Sequence, residues 1–486
     1  PGPAQALIRY PSIHGNTVVF EAGGSVWKVR LPGGEAVRLT ADFRPRLTSP
    51  DLSQRPVGRF TGWYRGNTDV YVESIDGGPV KQLTWRSINQ PMKGKIGTVP
   101  DNIVVGWTPD SHDVVFLSRR ESFNPQIERA FEVPISGGLP VALPMPWTGP
   151  LSFNAGGTVV AYNKLSRIFR VFHRKHYFGG QADKIFTYDL ATGASTQLVH
   201  WKGENTFPMW VGNTLYYASD RGANGVLNIW AKNLKTDAQR QVTHFPTYDV
   251  DWPSAGNTGI ALSDGGKLYV YSFATRQLTQ IPVTIPITGS RTLPYEYDAA
   301  KMIRSAGLAP DGKLAVFGAR GAIFTVPAAY GHTTELSTAR ASNDKDPTWS
   351  PNGKWIAYIR DEGRDSQVMV RAADGNGTPH ALTRTANLTY MGRLRWSPNS
   401  QWLTYSTSSQ QLWLVNVKTK AHEPVATAPR SQPTHIFQDV DFSPDSRWLA
   451  FSKRLPNNLH ALFVYDIPAG KLHQLSRGDF SDTNPV

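Results

Sequence analysis

Three stretches of this chain nearly repeat one another: WSPNGKWIAY at Trp349–Tyr358, WSPNSQWLTY at Trp396–Tyr405 and FSPDSRWLAF at Phe442–Phe451. Trp349 and Trp396 are 47 residues apart, and Trp396 and Phe442 are 46. LAPDGKLAVF at Leu308–Phe317 belongs to the same series. Looser copies, WTPDSHDVVF at Trp107–Phe116 and FNAGGTVVAY at Phe153–Tyr162, carry it into the first half, again 46 residues apart. A repeat of about 40–50 residues that holds several strands is the signature of a β-propeller.

Each part of the unit has a physical job. Proline at the second turn position presets φ, and Asn or Asp followed by Gly or Ser completes a tight turn. WIAY or WLAF then fills a buried strand. A third strand follows, such as QLWLVNV at Gln411–Val417 or ALFVYDI at Ala461–Ile467, then a polar turn and a short outer strand such as KLHQLS. Four antiparallel strands make one blade. A single blade cannot bury both of its faces, so blades must stack in a ring. The recurrent aromatics read as packing between blades.

Six units fall in the first half, within Gly15–Leu31, Gly66–Thr84, Val105–Ser118, Leu151–Lys164, Met209–Gly222 and Asp251–Ser272. The expected fold is therefore all-β. A six-bladed β-propeller spans residues 1–283, a Pro/Thr-rich linker 284–297, and a second, incomplete β-propeller 298–486. That second propeller holds four repeats, starting near Leu308, Trp349, Trp396 and Phe442. SDTNPV at the end reads as the stub of a fifth unit, so a fragment of a longer protein is expected.

Composition narrows the function. The 486 residues include 43 Gly and 36 Pro without collagen periodicity, in keeping with a turn-rich β chain. Net charge is +13, which suits an anionic partner or simple solubility. No RNA-recognition or helix-turn-helix signature is present, so nucleic acid is not an expected partner. Cysteine is absent, which removes disulfides, thiol catalysis and thiolate metal sites. No run of about 18 apolar residues crosses a membrane as a helix. The chain opens with PGPAQALIRY and no Met, which reads as a cut end, left either by signal processing or by cloning. A periplasmic or secreted location is expected, with the cytoplasm as the alternative.

The ordered series YPSIHGNTVVFEAGGSVWKV, GNTDVYV, VVGWTPD, VPISGGLPVALPMP, YFGGQADKIFTYDLATG, FPMWVGNTLYYASDRG and YDVDWPS resembles the propeller half of the tricorn protease family. The SPDG-type turns are shared with TolB-like propellers. The resemblance implies a six-bladed propeller followed by a seven-bladed one. After these come a helical region, a PDZ-like domain and a serine-peptidase core, with the propellers steering peptides. The family's catalytic Ser and His belong to segments that this sequence does not contain, so no catalytic residue carries over. The resemblance also implies a basic loop, ahead of the third unit, that anchors substrate carboxylates. The matching stretch NQPMKGKIG offers Lys93 and Lys95. Lysine is a point charge without the bidentate fork of arginine.

Other candidates come from the residues themselves. Arg167, Arg170, His173, Arg174, Lys175 and His176 form one basic cluster. It reads either as a surface that attracts peptide carboxylates or an acidic partner domain, or as a charged edge hairpin that discourages aggregation. Arg119 and Arg120 at a strand end pose the same choice. His173 and His176 are three apart, but no acidic third ligand is near and the segment reads as extended, so no metal is expected. Asp189 and Asp220 read as caps of their own turns. Nucleophile-elbow, zincin and Walker motifs are absent, and no cofactor is expected.

The leading expectation is a non-catalytic propeller portion of a tricorn-like serine peptidase that handles or gates peptides and docks other domains. A TolB-like protein-binding scaffold is the second expectation, and a metal-dependent hydrolase on the propeller axis is the third. Peptides or an acidic protein are the expected partners, and a homo-oligomer is possible.

Overall fold

The structure is a computed structural model. It describes residues 7–40, 51–52, 57–62, 68–86, 101–122, 127–164, 173, 175–286, 299–337, 342–362, 365–383, 394–429 and 437–485. Apart from a 3₁₀ turn at Ala299–Met302, its regular elements are strands. Among the described residues, ten sheets of four antiparallel strands follow one another along the chain, each in the order in which its strands occur. No helix among the described residues is long and apolar enough to cross a membrane. The chain divides into two compact units.

The first unit holds six sheets. Their innermost strands are Arg9–His14, Asp51–Leu52, Ile103–Trp107, Leu151–Phe153, Asn205–Val211 and Asp251–Ala255, numbered here as blades 1 to 6. Each interface between neighbours has its own apolar cluster. Val26 packs with Phe60 and Tyr71 between blades 1 and 2, and Val72 with Phe116 between blades 2 and 3. Val115 meets Tyr162, Ala161 meets Tyr217, and Tyr216 meets Tyr271 across the next three interfaces. Phe20 and Trp27 then pack with Leu268 and Ile281, which joins blade 1 to blade 6. Six interfaces for six sheets make a closed ring.

The ring is closed by backbone as well as by packing. Val283–Thr284 pairs in parallel with Gly34–Glu35. Gly34 N donates to Pro282 O at 2.9 Å and Ala36 N to Thr284 O at 2.8 Å. On the inner side, Ile8 N donates to Gly266 O at 3.0 Å, and Gly15 N to Asn257 Oδ1 at 2.7 Å. These bonds span the longest sequence separations in the unit, so closing them carries the largest loop-closure cost.

The second unit holds four sheets, with innermost strands Ile303–Leu308, Ser342–Trp349, Arg395–Trp396 and Phe437–Phe442. Residues 175–182, which lie in sequence between the second and third strands of blade 4, cluster with this unit. There Ser408 Oγ donates to Lys175 O at 2.9 Å. The leading aromatic of each repeat packs as expected. Trp349, Trp396 and Phe442 are buried, each in a cluster shared with the preceding sheet.

The turn chemistry explains the repeated letters. In SPNGKW the Ser350 hydroxyl accepts Trp355 N–H at 2.9 Å and donates to Asn352 Oδ1, which itself accepts Lys354 N–H. Ser397 with Asn399, and Ser443 with Asp445, repeat the arrangement. A second device recurs at the outer edge. Thr40, Thr84, Thr243, Ser337, Thr383 and Ser476 accept the amide N–H of Val26, Val70, Ile229, Ile323, Val368 and Leu462 at 2.7–3.0 Å. Each hydroxyl ties the end of its blade back to the third strand.

Candidate functional site

The innermost strands of the first unit line its centre, and several break register at the same point. Bulges fall between Arg9 and Ser12, Val104 and Gly106, Thr206 and Met209, and Asp251 and Ser254. In blades 1, 5 and 6 the bulge holds Tyr10, Phe207 and Trp252 at φ of 50°, 52° and 43°. Left-handed backbone at a bulky residue costs about 1–3 kcal/mol and persists only where the surroundings enforce it. Here the rings hold one another. Tyr10 meets Trp252 edge-on at 5.0 Å, and Phe207 lies 5.1 Å from Trp252.

Two cavities flank this aromatic group, of about 430 and 490 Å³, and Pro150, Phe207 and Trp252 line both. The first opens where the inner strands begin, at Arg9, Thr206 and Asp251. The second opens where they end, near His14, Trp107 and Asn257.

The first cavity is acidic in a chain that is basic overall. Glu204, Asp249 and Asp251 line it, opposed by Arg9 and His173. Burial raises the Asp251 carboxyl to about 6 against the pull of Arg9, and Asp249 adds to the rise. Next to the wall, burial and then Asp249 push Asp264 up to about 7, and its Oδ2 has no hydrogen-bond partner.

His173 is fixed between two carboxylates. Its Nδ1 lies 3.0 Å from Asp249 Oδ2, and its Nε2 lies 3.2 Å from Asp220 Oδ2. Burial alone would lower its pKa, but the two aspartates outweigh burial and hold it at about 10. The ring is thus an imidazolium that donates from both nitrogens, and it offers no lone pair to a metal. Asp220 therefore departs from the turn-cap expectation. Its side chain is buried, and its Oδ1 also accepts Trp201 Nε1–H at 2.7 Å. Asp189 does cap its own turn, accepting from Ala191 N and Thr192 N.

Of the basic residues singled out in the sequence, Lys93, Lys95, Arg167, Arg170 and Arg174 lie outside the described residues. Lys175 meets Ser408 through its carbonyl. Arg119 and Arg120 join Arg86 in a network between blades 2 and 3. Arg86 Nη1 lies 2.7 Å from Asp101 Oδ2, Arg119 N donates to Asp101 Oδ1 at 2.9 Å, and Arg120 Nη2 donates to Asn102 Oδ1 at 2.7 Å. The Arg120 guanidinium also lies over Phe116 and Phe131, at 5.0 and 4.9 Å. Burial, then the neighbouring Arg86, lowers its pKa.

The axial aromatics and acids were not picked out from sequence, although a signal was there. YPSIHGN at Tyr10–Asn16, FPMWVGN at Phe207–Asn213 and WPSAGN at Trp252–Asn257 place an aromatic–proline pair just ahead of a Gly-Asn turn.

The profile of the tricorn protease N-terminal beta propeller domain matches residues 5–277, more than half of the chain and the same stretch that forms the closed ring. The chain belongs to the tricorn protease family. It is 25% identical over 99% of its length to tricorn protease homolog 1 of Streptomyces coelicolor, and spans 44% of that relative. The solved tricorn protease aligns with 98% of this tricorn-family chain at 17% identity and a TM-score of 0.49, and the chain covers 45% of it. The Tol-Pal system protein TolB of Francisella tularensis subsp. mediasiatica is 26% identical over 41% of the chain, which covers 45% of that protein. The chain thus spans less than half the length of these relatives.

Proposed function

We propose that this chain is the non-catalytic propeller portion of a tricorn-like serine peptidase, and that its six-bladed ring receives peptides at the axis. The observation that carries this reading is the pair of cavities that share Phe207 and Trp252 in their walls, with Tyr10 packed on Trp252. A strained aromatic group held at the centre of a ring is expensive to keep for packing alone. Apolar walls with a few polar groups at one end suit short peptides better than large partners. Membership of the tricorn protease family agrees with this role.

The experiment is retention of a mixture of short peptides on the immobilised chain, read by mass spectrometry, beside an assay with a fluorogenic peptide. Retention without turnover is expected. Turnover abolished by a serine-directed reagent would overturn the non-catalytic part, and failure to retain any peptide would overturn the peptide role.

The similarity to TolB favours one second reading, a protein-binding scaffold. A scaffold would capture a folded partner and ignore free peptides in the same experiment.

A further inference from the structure

The second unit uses one kind of interface three times. In each, a bulky pair on the second and third strands of a sheet packs on the sheet before it. The pairs are Tyr358 opposite Met369, Tyr405 opposite Trp413, and Phe451 opposite Phe463. Each belongs to the cluster that its sheet shares with the preceding one.

The first sheet of the unit carries the same pair. Phe317 stands opposite Phe324 on its strands Leu314–Ala319 and Ala322–Pro327. Val316 and Ile323 point the other way and pack with Trp349 of the next sheet. Among the described residues, neither Phe317 nor Phe324 joins a core cluster, and both stay partly exposed, whereas Tyr358 and Phe451 are at most 1% exposed. Leu308 on the same face is 64% exposed.

The last sheet carries the matching surface. In the second sheet of the unit, Ala357 pairs with Val370 and Ile359 with Val368, and Leu382 N donates to Val368 O at 2.8 Å. That face is buried under Tyr405 and Trp413. In the last sheet, Ala450 pairs with Val464 and Ser452 with Leu462, and Leu475 N donates to Leu462 O, again at 2.8 Å. The positions correspond one to one. Here, however, Leu462 and Val464 are partly exposed and Leu475 is 62% exposed.

The two ends of the stack are thus complementary halves of the unit's own recurrent interface. The three interfaces inside the unit show what fits each half, namely another sheet of this repeat. A second copy of this chain brings both halves at once. Two four-sheet stacks joined at both ends make a ring of about eight sheets, within the range that propellers use. A ring of two copies is closed, so growth stops at the dimer.

We propose that the second unit pairs with that of a second copy of this chain, with Phe317 and Phe324 of each copy packed on the Leu462, Val464 and Leu475 face of the other. The inference stands apart from the peptide role of the six-bladed ring.

Sedimentation velocity on the whole chain, across micromolar concentrations, tests it. A species of twice the chain mass is expected. Phe324→Lys and Val464→Asp each place a charge in one half, and each should weaken dimerisation by roughly thirtyfold or more. Mixing the two variants leaves one junction with both halves native, so dimer should return in the mixture. A variant that had failed to fold could not be rescued in this way. A native chain that stays monomeric would overturn the inference, as would a dimer that neither charge weakens. A mixture that stays monomeric while each variant unfolds cooperatively would overturn it as well. Oligomers that grow beyond the dimer with concentration would overturn the closed arrangement.

Discussion

His173 Nδ1 lies 3.0 Å from Asp249 Oδ2, and the opposite nitrogen of the same ring faces Asp220 at 3.2 Å. His173 and Asp220 are both about 1% exposed in their side chains, so this pairing holds a charge in the interior. Replacing His173 with Gln removes the buried cation that Asp220 and Asp249 share, and the expected loss is about 3–5 kcal/mol. The pH dependence has a definite sign. The folded pKa of about 10 stands above the ordinary value near 6.5. The stabilisation is therefore complete below about pH 6.5 and is lost as pH rises through about 10. Denaturant midpoints measured across that range should fall in the native chain and stay nearly flat in His173→Gln. Asp251 and Asp264 have raised pKa values too, and their contribution is lost as pH rises through about 6 to 7. That window precedes most of the histidine's.

The seam between blades 1 and 6 is the next point of leverage. A Cβ on Gly256 would stand 1.7 Å from Ile13 O, and one on Gly33 would stand 2.4 Å from Pro282 O. Both contacts are backbone and neither side can yield alone. Gly256→Ala is expected to cost about 3 kcal/mol or more and to open the seam, read as new protease cleavage in blade 1 or 6. Gly212→Ala is the control. It has open space around it and a φ of +55°, so it should cost only about 1 kcal/mol and leave the cleavage pattern unchanged.

The ring was legible in the sequence because its period is carried by turn residues that act locally. The Ser350, Asn352 and Trp355 bonds close within six residues, so the letters that encode them repeat whatever the neighbours do. The centre was not legible in the same way. Tyr10 and Trp252 meet across the seam between blades 1 and 6, far apart in sequence, and nothing local sets their distance. Asp220 shows the same limit. A loop-start aspartate caps its own turn by default, as Asp189 does, and His173, brought from 47 residues away, together with Trp201 makes Asp220 the exception.

The outer hydroxyls are a test of how much one repeated bond contributes. Thr243 Oγ1 accepts Ile229 N–H at 2.9 Å and donates to Asn228 Oδ1 at 2.9 Å, and all three residues are buried. Thr243→Val keeps the shape, leaves the Ile229 N–H without this acceptor and removes one of the two bonds to Asn228 Oδ1, which still accepts Phe245 N–H, so a loss of about 1–3 kcal/mol is expected. Thr243→Ser keeps the hydroxyl and should recover most of it. Equal midpoints for Val and Ser would show that the bond contributes nothing beyond packing.

Ser400 and Ser446 occupy turn positions where the matching turns have Gly312 and Gly353, and their φ values of 59° and 63° lie in the same left-handed region. A serine there pays about 1–2 kcal/mol that glycine would not. Each returns a bond to the neighbouring blade. Asn352 N donates to Ser400 Oγ at 3.1 Å, and Asn399 N donates to Ser446 Oγ at 3.0 Å. The bond is worth about 0.5–1.5 kcal/mol, close to the strain it accompanies. Two substitutions separate the terms. Ser400→Gly loses both and should leave stability within about 0.5 kcal/mol of the native chain. Ser400→Ala loses the bond and keeps the strain, and should cost about 1 kcal/mol. Chemical denaturation of both variants gives the order directly, and alanine matching the native serine would mean that the inter-blade bond is not what keeps serine in a position built for glycine.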